Sequence, residues 1–461
     1  MDLRNTEYRL IGPWPTRILH ANGRSLDAER GLLLVPSCRK HDESAAIGLP
    51  FVRVPARRDH GVAPLVVLAG GPGVPAIGAF ETSFFEHVER FSEICDVVTF
   101  DQRGANGALP NLVNPSPPRY DLDAVLTRDV FLDAQRDSAR ELATYWRERG
   151  VELNVYNTAE NAHDVNDLRR ALGVDKVNLH CASYGSHLGL TVLKMYGEHI
   201  DRAILCIVEG LDHTHKLPAN IDRHFGHLSD LARTDRRLKG QFPDLFGEIA
   251  EVLDTFDRAP ESVKLPSAKT RTLVGKLAVQ IVIGNALGSI RAIRDLPNFT
   301  RELAKGDLAT LTRRVERWLT GPGIHGMQLA MDYASGATAE RMRLIDTQRA
   351  SALLDDSFNL PFPFVGDVLG VDDLGDDFRA PVESDTPTLF CAGTLDGRTP
   401  ISNAREVERG FRNSHLIVVE GMTHELPALL LDSQTDFLQG VDPGVGRLTR
   451  PFAFNPYRSA A

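Results

Sequence analysis

Residues 177–196, VNLHCASYGSHLGLTVLKMY, join two kinds of hydrophobic pattern within a few residues. The first part, Val177 to Cys181, is a short apolar run typical of a buried strand, and the part after Gly185 carries apolar residues at helical spacing. Ser183 lies on the sharp turn between them. Such a turn exposes the serine hydroxyl and places the backbone N–H of Tyr184 beside it, near the positive end of the following helix. The pattern therefore predicts a nucleophilic serine on a strand-to-helix turn.

The turn departs from the usual G-x-S-x-G pattern, because Cys181 stands where the first glycine is expected. A small residue is needed there since the strand and the helix come close together, and cysteine is smaller than any branched or aromatic apolar residue. The alternative interpretation is a helix whose N-terminus is capped by Ser183, without a catalytic role.

Short apolar runs alternate with helical patterns on both sides of this turn. The strand candidates are Phe51–Val54, Leu65–Leu68, Asp96–Phe100, Val177–Cys181, Ala203–Val208, Thr388–Cys391 and Leu416–Val419. Most are β-branched or Leu-rich on both faces, which is typical of parallel strands covered by helices on two sides. The alternation predicts an α/β fold with a mostly parallel, doubly wound sheet.

The strand signal is missing from His213 to about Ala380, where amphipathic helical patterns replace it. We interpret this stretch as a helical insertion that forms a cap over one edge of the sheet. The expected organisation is a first core part at residues 1–212, a helical cap at 213–380 and a last core part at 381–461. The cap's aromatic residues Trp318, Phe362 and Phe364 are expected to pack in its core.

The composition is that of an ordinary globular protein, with 461 residues, 42% hydrophobic and 25% charged. A formal net charge of −10 leaves no excess of positive charge to neutralise a phosphate backbone, so nucleic-acid binding is not expected. The most apolar stretch, Leu277 to Ile283, is far shorter than the roughly 20 residues that span a bilayer, so no membrane association is expected.

Two further features indicate a cytoplasmic location. Residues 1–30 lack a basic start followed by an apolar run, so a secretory signal peptide is not expected. The five cysteines are odd in number, and four lie in apolar, strand-like runs where a free cysteine behaves as a small core residue. We therefore expect reduced cysteines and a cytoplasmic protein.

A glycine-rich turn, Ala69-Gly70-Gly71-Pro72-Gly73, follows the strand candidate that ends at Leu68. Glycines let main chain approach another group without side-chain obstruction. Because Pro72 has no N–H, Gly71 is the expected second donor to an oxyanion, and Gly70 is the less favoured choice. The alternatives are a glycine-rich loop that only turns the chain, and a phosphate loop, which fits poorly because no Gly-Lys-Ser/Thr follows.

An acyl-transfer serine needs a base and a carboxylate that fixes the tautomer of the base, in the chain order Ser, Asp/Glu, His. Asp396 follows the strand candidate Thr388–Cys391, and His424 follows the next one, Leu416–Val419. Their positions on two consecutive strand ends predict the acid and the base. Glu209 and Asp212, at the end of the preceding strand, are the competing carboxylates.

Asp212, His213 and His215 also suggest a metal site. Their spacing offers no further ligands, and they lie where the cap begins, so a solvated hinge is the preferred interpretation. No metal is predicted.

The motifs together resemble those of the proline iminopeptidase and tripeptidyl aminopeptidase family of α/β hydrolases. The matching segments are Leu68 to Gly73, Phe100 to Gly104 (Phe-Asp-Gln-Arg-Gly), Ala182 to Gly185, Leu395-Asp396 with Thr399-Pro400, and Gly421 to His424. They cover residues ~30 to 212 and ~381 to 461 in the family's order. Two positions depart from the pattern, Cys181 at the first glycine of the serine turn and Ala69 where many members have His.

The resemblance implies an α/β-hydrolase fold with Ser183 as nucleophile, Asp396 as acid and His424 as base. It further implies that the Asp-Gln-Arg-Gly turn shapes the wall of the site near the oxyanion loop. The family usually presents cap carboxylates to the free amino group of its substrate. The candidates for that role here are Asp332 and Glu340 in the cap and Glu209 at the rim of the core.

The sequence thus predicts a serine hydrolase that works through an acyl-enzyme, with the N–H groups of Tyr184 and Gly71 as oxyanion hole. The expected activity is that of an aminopeptidase that releases N-terminal residues from short peptides or amides. A carboxylesterase for small acyl esters is the alternative, and a ligand-binding homologue without catalysis is the less favoured one. This chemistry requires no metal or organic cofactor, and its expected partner is a small-molecule or short-peptide substrate. The sequence does not predict the oligomeric state.

Overall fold

An eleven-stranded sheet is the frame of the chain in the computed structural model, which describes residues 2–58, 60–267, 270–444 and 446–458. The strands of the described residues are β1 (Asp2–Arg4), β2 (Arg9–Leu19), β3 (Ser25–Pro36), β4 (Glu43–Val54), β5 (Leu65–Leu68), β6 (Val97–Phe100), β7 (Val177–Ala182), β8 (Ile200–Cys206), β9 (Glu261–Lys264), β10 (Arg271–Val274), β11 (Thr388–Gly393), β12 (Ser414–Glu420) and β13 (Arg447–Thr449).

Helices cover both faces of the sheet and form most of the cap. Those of the described residues are α1 (Ala76–Glu81), α2 (Phe85–Phe91), α3 (Arg128–Arg147), α4 (Thr158–Ala171), α5 (Tyr184–Tyr196), α6 (Pro218–Thr234), α7 (Leu245–Arg258), α8 (Lys276–Ala286), α9 (Ile290–Ala304), α10 (Ala309–Leu319), α11 (Gly326–Ser335), α12 (Ala339–Arg349), α13 (Gly366–Leu369), α14 (Asp376–Arg379), α15 (Ile401–Glu408) and α16 (Leu431–Leu438). None of these helices has the length and apolar character needed to cross a bilayer.

The strand order is β13-β12-β11-β8-β7-β5-β6-β4-β3-β2, with β1 paired to β4. Strands from β13 to β6 pair in parallel, and the N-terminal strands β1 to β4 pair antiparallel. The prediction of a mostly parallel, doubly wound sheet is confirmed. Because the carboxyl ends of parallel strands meet at one edge, the segments that follow β5, β7, β8, β11 and β12 come together there.

The sequence analysis predicts no strand before Phe51, so it misses β1, β2, β3 and the first part of β4. In β3, buried and more exposed residues alternate over much of the strand, which is the pattern of a sheet with one covered face. This period of two was the available signal. β2 is the outer strand, and its register with β3 shifts between Ile11 and Trp14.

The cap is not purely helical, which corrects the expectation that strands are absent from it. β9 and β10 pair as an antiparallel hairpin between α7 and α8. In β9 the only buried side chain is that of Val263, so the segment shows no apolar run by which it could be predicted.

The inserted stretch packs in two ways. Side chains of α6 to α10 form a hydrophobic core of their own, joined by Leu395 and by Phe454 near the C-terminus. By contrast, Met327, Ala330 and Met331 of α11 pack into the core beside the sheet. Leu369 of α13 packs there as well, so the cap has both a core of its own and helices anchored in the main core.

A buried ion cluster ties the N-terminal strands to the parallel sheet. The Arg103 guanidinium, fully buried after β6, donates to both oxygens of Asp164 on α4 at 2.7 Å. It also donates to the carbonyls of Ser37 after β3 and Val155 before α4. Arg39 adds a second guanidinium to Asp164 at 2.8 Å. Buried charges of this kind are stable only when each is paired and hydrogen-bonded.

Removing the Arg103 guanidinium tests this cluster. We expect Arg103→Met to lower the free energy of unfolding by about 3–5 kcal/mol, because it leaves a buried carboxylate short of its bidentate partner. Urea unfolding followed by tryptophan fluorescence measures the effect. The control is Arg4→Met, which removes an exposed guanidinium 3.7 Å from Glu7 and should cost less than about 1 kcal/mol. Equal midpoints for the two variants would contradict the structural role.

The contact between β7 and α5 explains how Cys181 is tolerated before the serine turn. A Cβ atom added at Gly189, in the second turn of α5, would lie 2.5 Å from the Cys181 sulfur. The thiol therefore occupies space that the side chain of an ordinary helix residue would fill. The small residue that this contact requires is Gly189 on the helix, and not residue 181 on the strand.

This exchange predicts energetic coupling. Gly189→Ala should destabilise the protein by about 1–3 kcal/mol through overpacking, and the same change in a Cys181→Gly background should cost much less. Gly226→Ala on α6 is the matched control, since no atom lies within 4 Å of its added Cβ, and it should stabilise slightly. Thermal unfolding of the four variants of the cycle measures the coupling, and strictly additive changes would refute it.

Candidate active site

Ser183, His424 and Asp396 form a continuous chain of hydrogen bonds at the carboxyl edge of the sheet. His424 Nε2 lies 3.0 Å from Ser183 Oγ, and His424 Nδ1 lies 2.9 Å from Asp396 Oδ2. With Nδ1 protonated and bonded to the carboxylate, Nε2 is free to accept the serine proton. The arrangement can activate the hydroxyl as a nucleophile.

Backbone geometry fixes the position of the serine. Ser183 has φ 56°, in the left-handed region that residues other than glycine rarely adopt. Its N–H donates to the carbonyl of Cys206 at 3.1 Å, which anchors the turn to β8. A Cβ at Gly185 would overlap the carbonyl oxygen of Leu68, so the start of α5 lies directly against the end of β5. The close approach explains the glycine two residues after the serine.

Asp396 is buried, and its carboxylate is held by four hydrogen-bonding groups, of which the His424 imidazole is one. Its oxygens accept hydrogen bonds from the backbone N–H groups of Arg398 and Thr399 and from the Thr399 hydroxyl, as well as from His424. Burial raises the pKa of this carboxyl, but the charge of His424 and these hydrogen bonds outweigh it and hold the pKa below its ordinary value. The carboxylate is therefore ionised next to the imidazole.

The two competing carboxylates have other partners. Glu209 Oε2 lies 2.5 Å from Lys216 Nζ, and Asp212 accepts from the backbone N–H and the hydroxyl of Thr338. Neither is bonded to His424. The acidic partner of the imidazole is Asp396.

The hypothetical metal ligands are separated in the structure. Asp212 binds Thr338, His213 Nε2 faces Glu406 at 3.2 Å, and His215 lines the cavity above Ser183. Over the described ranges, no group of three or more His, Cys, Asp or Glu side chains is arranged to hold a metal ion.

Two backbone segments border the position where an oxyanion would form. Tyr184 is the first residue of α5, so its N–H is one of the donors that a helix leaves without an internal partner. Gly71 lines the cavity at Ser183. Gly70 lies against the serine turn, since a Cβ there would be 3.0 Å from the Ser183 Cβ. Gln102 steadies the same loop by donating to the Ala69 carbonyl at 2.9 Å.

A cavity of about 100 Å³, called here the catalytic cavity, opens above Ser183 and His424. Glu209 and Asp332 both line it, as the sequence-based hypothesis requires of residues that meet a substrate amine. Glu340 does not. It lies exposed in the first turn of α12, away from the catalytic cavity, because the helix turns this side chain to the surface.

The two carboxylates of the catalytic cavity have different surroundings. Burial raises the pKa of Asp332 well above its ordinary value, and the negative charge of Glu209 raises it further. Glu209 is instead neutralised by Lys216, whose Nζ also donates to the His213 carbonyl at 2.8 Å. Of the two carboxylates, that of Glu209 is thus already paired with an ammonium group of the protein itself, that of Lys216.

A second cavity of about 390 Å³, the outer cavity, adjoins the first. The two share Gln328, Phe358, Phe362 and Arg398 as wall residues. Trp318 lines the outer cavity and stacks on Tyr120, with ring centroids 5.2 Å apart. Phe362 and Trp318 are partly buried and pack against hydrophobic clusters, as does Phe364, but Phe362 and Trp318 also line these cavities, so the expectation that they are core residues holds only in part.

Lys216 and Arg398 were missed as site residues. Lys216 is seven residues from its partner Glu209 in an irregular segment, so no helical or strand period indicates the pairing. Arg398 lies two residues after Asp396 in the Asp-Gly-Arg-Thr-Pro turn, and this closeness to a predicted catalytic residue could have indicated that it lies at the site.

The chain resembles known proteins in sequence. Residues 63–427 match the sequence family described as alpha/beta hydrolase fold. A tripeptidyl aminopeptidase of Streptomyces coelicolor is 32% identical over 149 residues, which are 31% of this chain and 27% of that protein. The serine protease Hip1 of Mycobacterium bovis is 27% identical over 184 residues, 38% of this chain and 35% of that one. The matched segments thus span about a third or less of these relatives.

Solved structures that match the chain include a proline iminopeptidase and an esterase. The proline iminopeptidase of Mycobacterium smegmatis is 14% identical, with a TM-score of 0.40 over 86% of this chain and 95% of that one. The esterase of Exiguobacterium antarcticum is 13% identical, with a TM-score of 0.37 over 93% and 97%. Because the family match covers residues 63–427, which are most of this chain, the chain belongs to the α/β-hydrolase family.

Proposed function

We propose that this hydrolase works through an acyl-enzyme on Ser183. The observation that carries the proposal is the hydrogen-bond chain from Ser183 Oγ through His424 to Asp396. Ser183 Oγ attacks the substrate carbonyl as His424 Nε2 takes its proton. The oxyanion that forms is held by the N–H groups of Tyr184 and Gly71.

The second half of the reaction uses the same groups. Protonated His424 gives its proton to the leaving group, and Asp396 stabilises the imidazolium while the proton resides there. Neutral His424 then takes a proton from water as the water attacks the acyl-enzyme, and gives that proton to Ser183 Oγ as the acid product is released.

For the substrate, we propose a short peptide or amide cleaved at its N-terminal end. Support comes from Glu209 and Asp332, which line the catalytic cavity with Ser183, and from the relatives named tripeptidyl aminopeptidase. A buried ammonium needs such carboxylates, since its desolvation would otherwise cost several kcal/mol. A bound ammonium would favour the charged form of Asp332, against the effect of burial, which raises the pKa of this carboxyl.

Hydrolysis of a small acyl ester is the second candidate, and one observation favours it. The Lys216 ammonium already neutralises Glu209, which leaves less negative charge for a substrate amine. A substrate without an amine fits this charge balance.

Covalent labelling tests the nucleophile. A fluorophosphonate should label Ser183 alone, because among the described serines it is the one whose hydroxyl is bonded to the His424–Asp396 pair. Ser183→Ala should abolish labelling and lower kcat by roughly 10³-fold or more. Ser186→Ala, a neighbouring serine whose hydroxyl bonds the Ser183 carbonyl and the N–H of Glu209, is the control and should still be labelled. Labelling that persists in Ser183→Ala would refute the assignment.

Matched substrates distinguish the two candidates. An aminopeptidase should cleave free aminoacyl arylamides much faster than their N-acetylated forms, and Asp332→Asn should remove most of that preference. Because the pKa of Asp332 is raised, its carboxylate becomes available as pH increases, so KM for the free amine should fall with rising pH up to about 7.5, where the α-amino group begins to lose its proton.

The variant Glu340→Gln is the control for Asp332→Asn, because Glu340 is exposed and outside the catalytic cavity. Equal rates on free and acetylated arylamides, with esters faster than both, would replace the aminopeptidase by the esterase.

A further inference from the structure

Arg398 places a guanidinium at the junction of the catalytic and outer cavities. It lies on the loop after β11, two residues beyond Asp396. The side chain is fixed in position from two sides. A Cβ at Gly288 would lie 2.6 Å from its Nε, and its guanidinium carbon is 5.5 Å from the centroid of the Phe358 ring.

The guanidinium has no anionic partner within bonding distance among the residues that the structure describes. No hydrogen bond or ion pair joins it to them, and its buried Nε lacks an acceptor. The nearby Asp396 is already engaged by His424 and Thr399. The buried guanidinium groups of Arg103 and Arg379 differ in this respect, since that of Arg103 binds Asp164 and that of Arg379 binds Asp373.

The other ionisable groups of the catalytic cavity leave Arg398 without a bonded counter-ion. Glu209 is paired with Lys216, and burial disfavours the charged form of Asp332 by raising its pKa. The ionised Asp396 acts on the guanidinium through space, but its oxygens are bonded to His424 and Thr399. Arg398 therefore keeps a positive charge with no direct ion pair. An arginine stays charged at all ordinary pH, and its planar fork matches the two oxygens of a carboxylate.

We propose that Arg398 binds a carboxylate of the substrate, so that this hydrolase selects compounds that carry a free carboxylate near the scissile bond. The inference rests on the proposed acyl-enzyme function and adds the chemical class of its substrate. The carboxylate lies at the cavity junction, within reach of both the acyl part and the leaving group. A short peptide with a free C-terminus and a monoester of a dicarboxylic acid share this chemistry.

Two matched substrate pairs test the proposal and separate its two sources. The pair 4-nitrophenyl hemiglutarate and 4-nitrophenyl butyrate places the carboxylate in the acyl part. The pair Ala-Ala and Ala-Ala-amide places it in the leaving group. We expect kcat/KM to be at least about tenfold higher for the acidic member of one pair. Ratios near one in both pairs would overturn the proposal.

Variants connect the preference to the guanidinium. Arg398→Gln should bring the acid-to-neutral ratio close to one, and Arg398→Lys should retain part of it because a charge remains without the bidentate fork. Arg313→Gln, which removes an exposed arginine from α10, is the charge-matched control and should keep the ratio. If Arg398→Gln slowed both members of a pair equally, Arg398 would serve the triad and the proposal would fail.

A binding measurement covers the possibility that turnover is lost for another reason. Glutarate should slow fluorophosphonate labelling of Ser183 in the wild-type protein, whereas glutaramide should not, and Arg398→Gln should abolish the protection. Equal protection by both compounds would overturn the proposal. Hydrolysis that survives in Ser183→Ala would instead refute the proposed acyl-enzyme, so the two failures are distinguishable.

Discussion

The close approach of main chain at the serine turn is the constraint on which the site depends. The start of α5 lies against the end of β5, so that Gly185 has no room for a side chain and Ser183 is held in a left-handed conformation. The strain is maintained by the surrounding sheet and helix. The serine turn places the Ser183 hydroxyl and the N–H of Tyr184 in one small volume, and the glycine loop after β5 borders the same volume. The base and the acid reach that volume because β11 and β12 end at the same edge.

The core and the cap contribute different properties to this volume. The core supplies the hydrogen-bond chain at the strand ends, and its loops also supply Glu209 and Arg398. The cap closes the space with Lys216, Asp332 and aromatic side chains, and so sets its charge and width. Because Lys216 neutralises Glu209 from within the chain, a resemblance in core motifs does not fix the charge that a substrate meets.

The parallel sheet and the three residues of the hydrogen-bond chain could be predicted, because Ser183, Asp396 and His424 each follow an apolar run in the expected order. The roles of these three remain predictions, although the structure brings them together. The half-exposed strand β3 was missed since only its period of two reports it. Sequence also cannot show which cap carboxylate faces inward, as the exposed Glu340 illustrates, since that depends on how each cap helix is rotated. Charge pairs such as that of Lys216 depend on tertiary folding of an irregular segment.

The outer strand β2 has a consequence for self-association. An unpaired sheet edge offers main-chain donors and acceptors to any other extended chain, and long regular edges promote aggregation. In β2 the exposed residues Pro13 and Pro15 carry no N–H, and the register shift beside them interrupts the regular ladder. At the opposite edge, β13 contributes only three residues. The wide sheet therefore ends on both sides in strands that are poor templates for a further strand, which guards it against growth by edge-to-edge addition of other molecules.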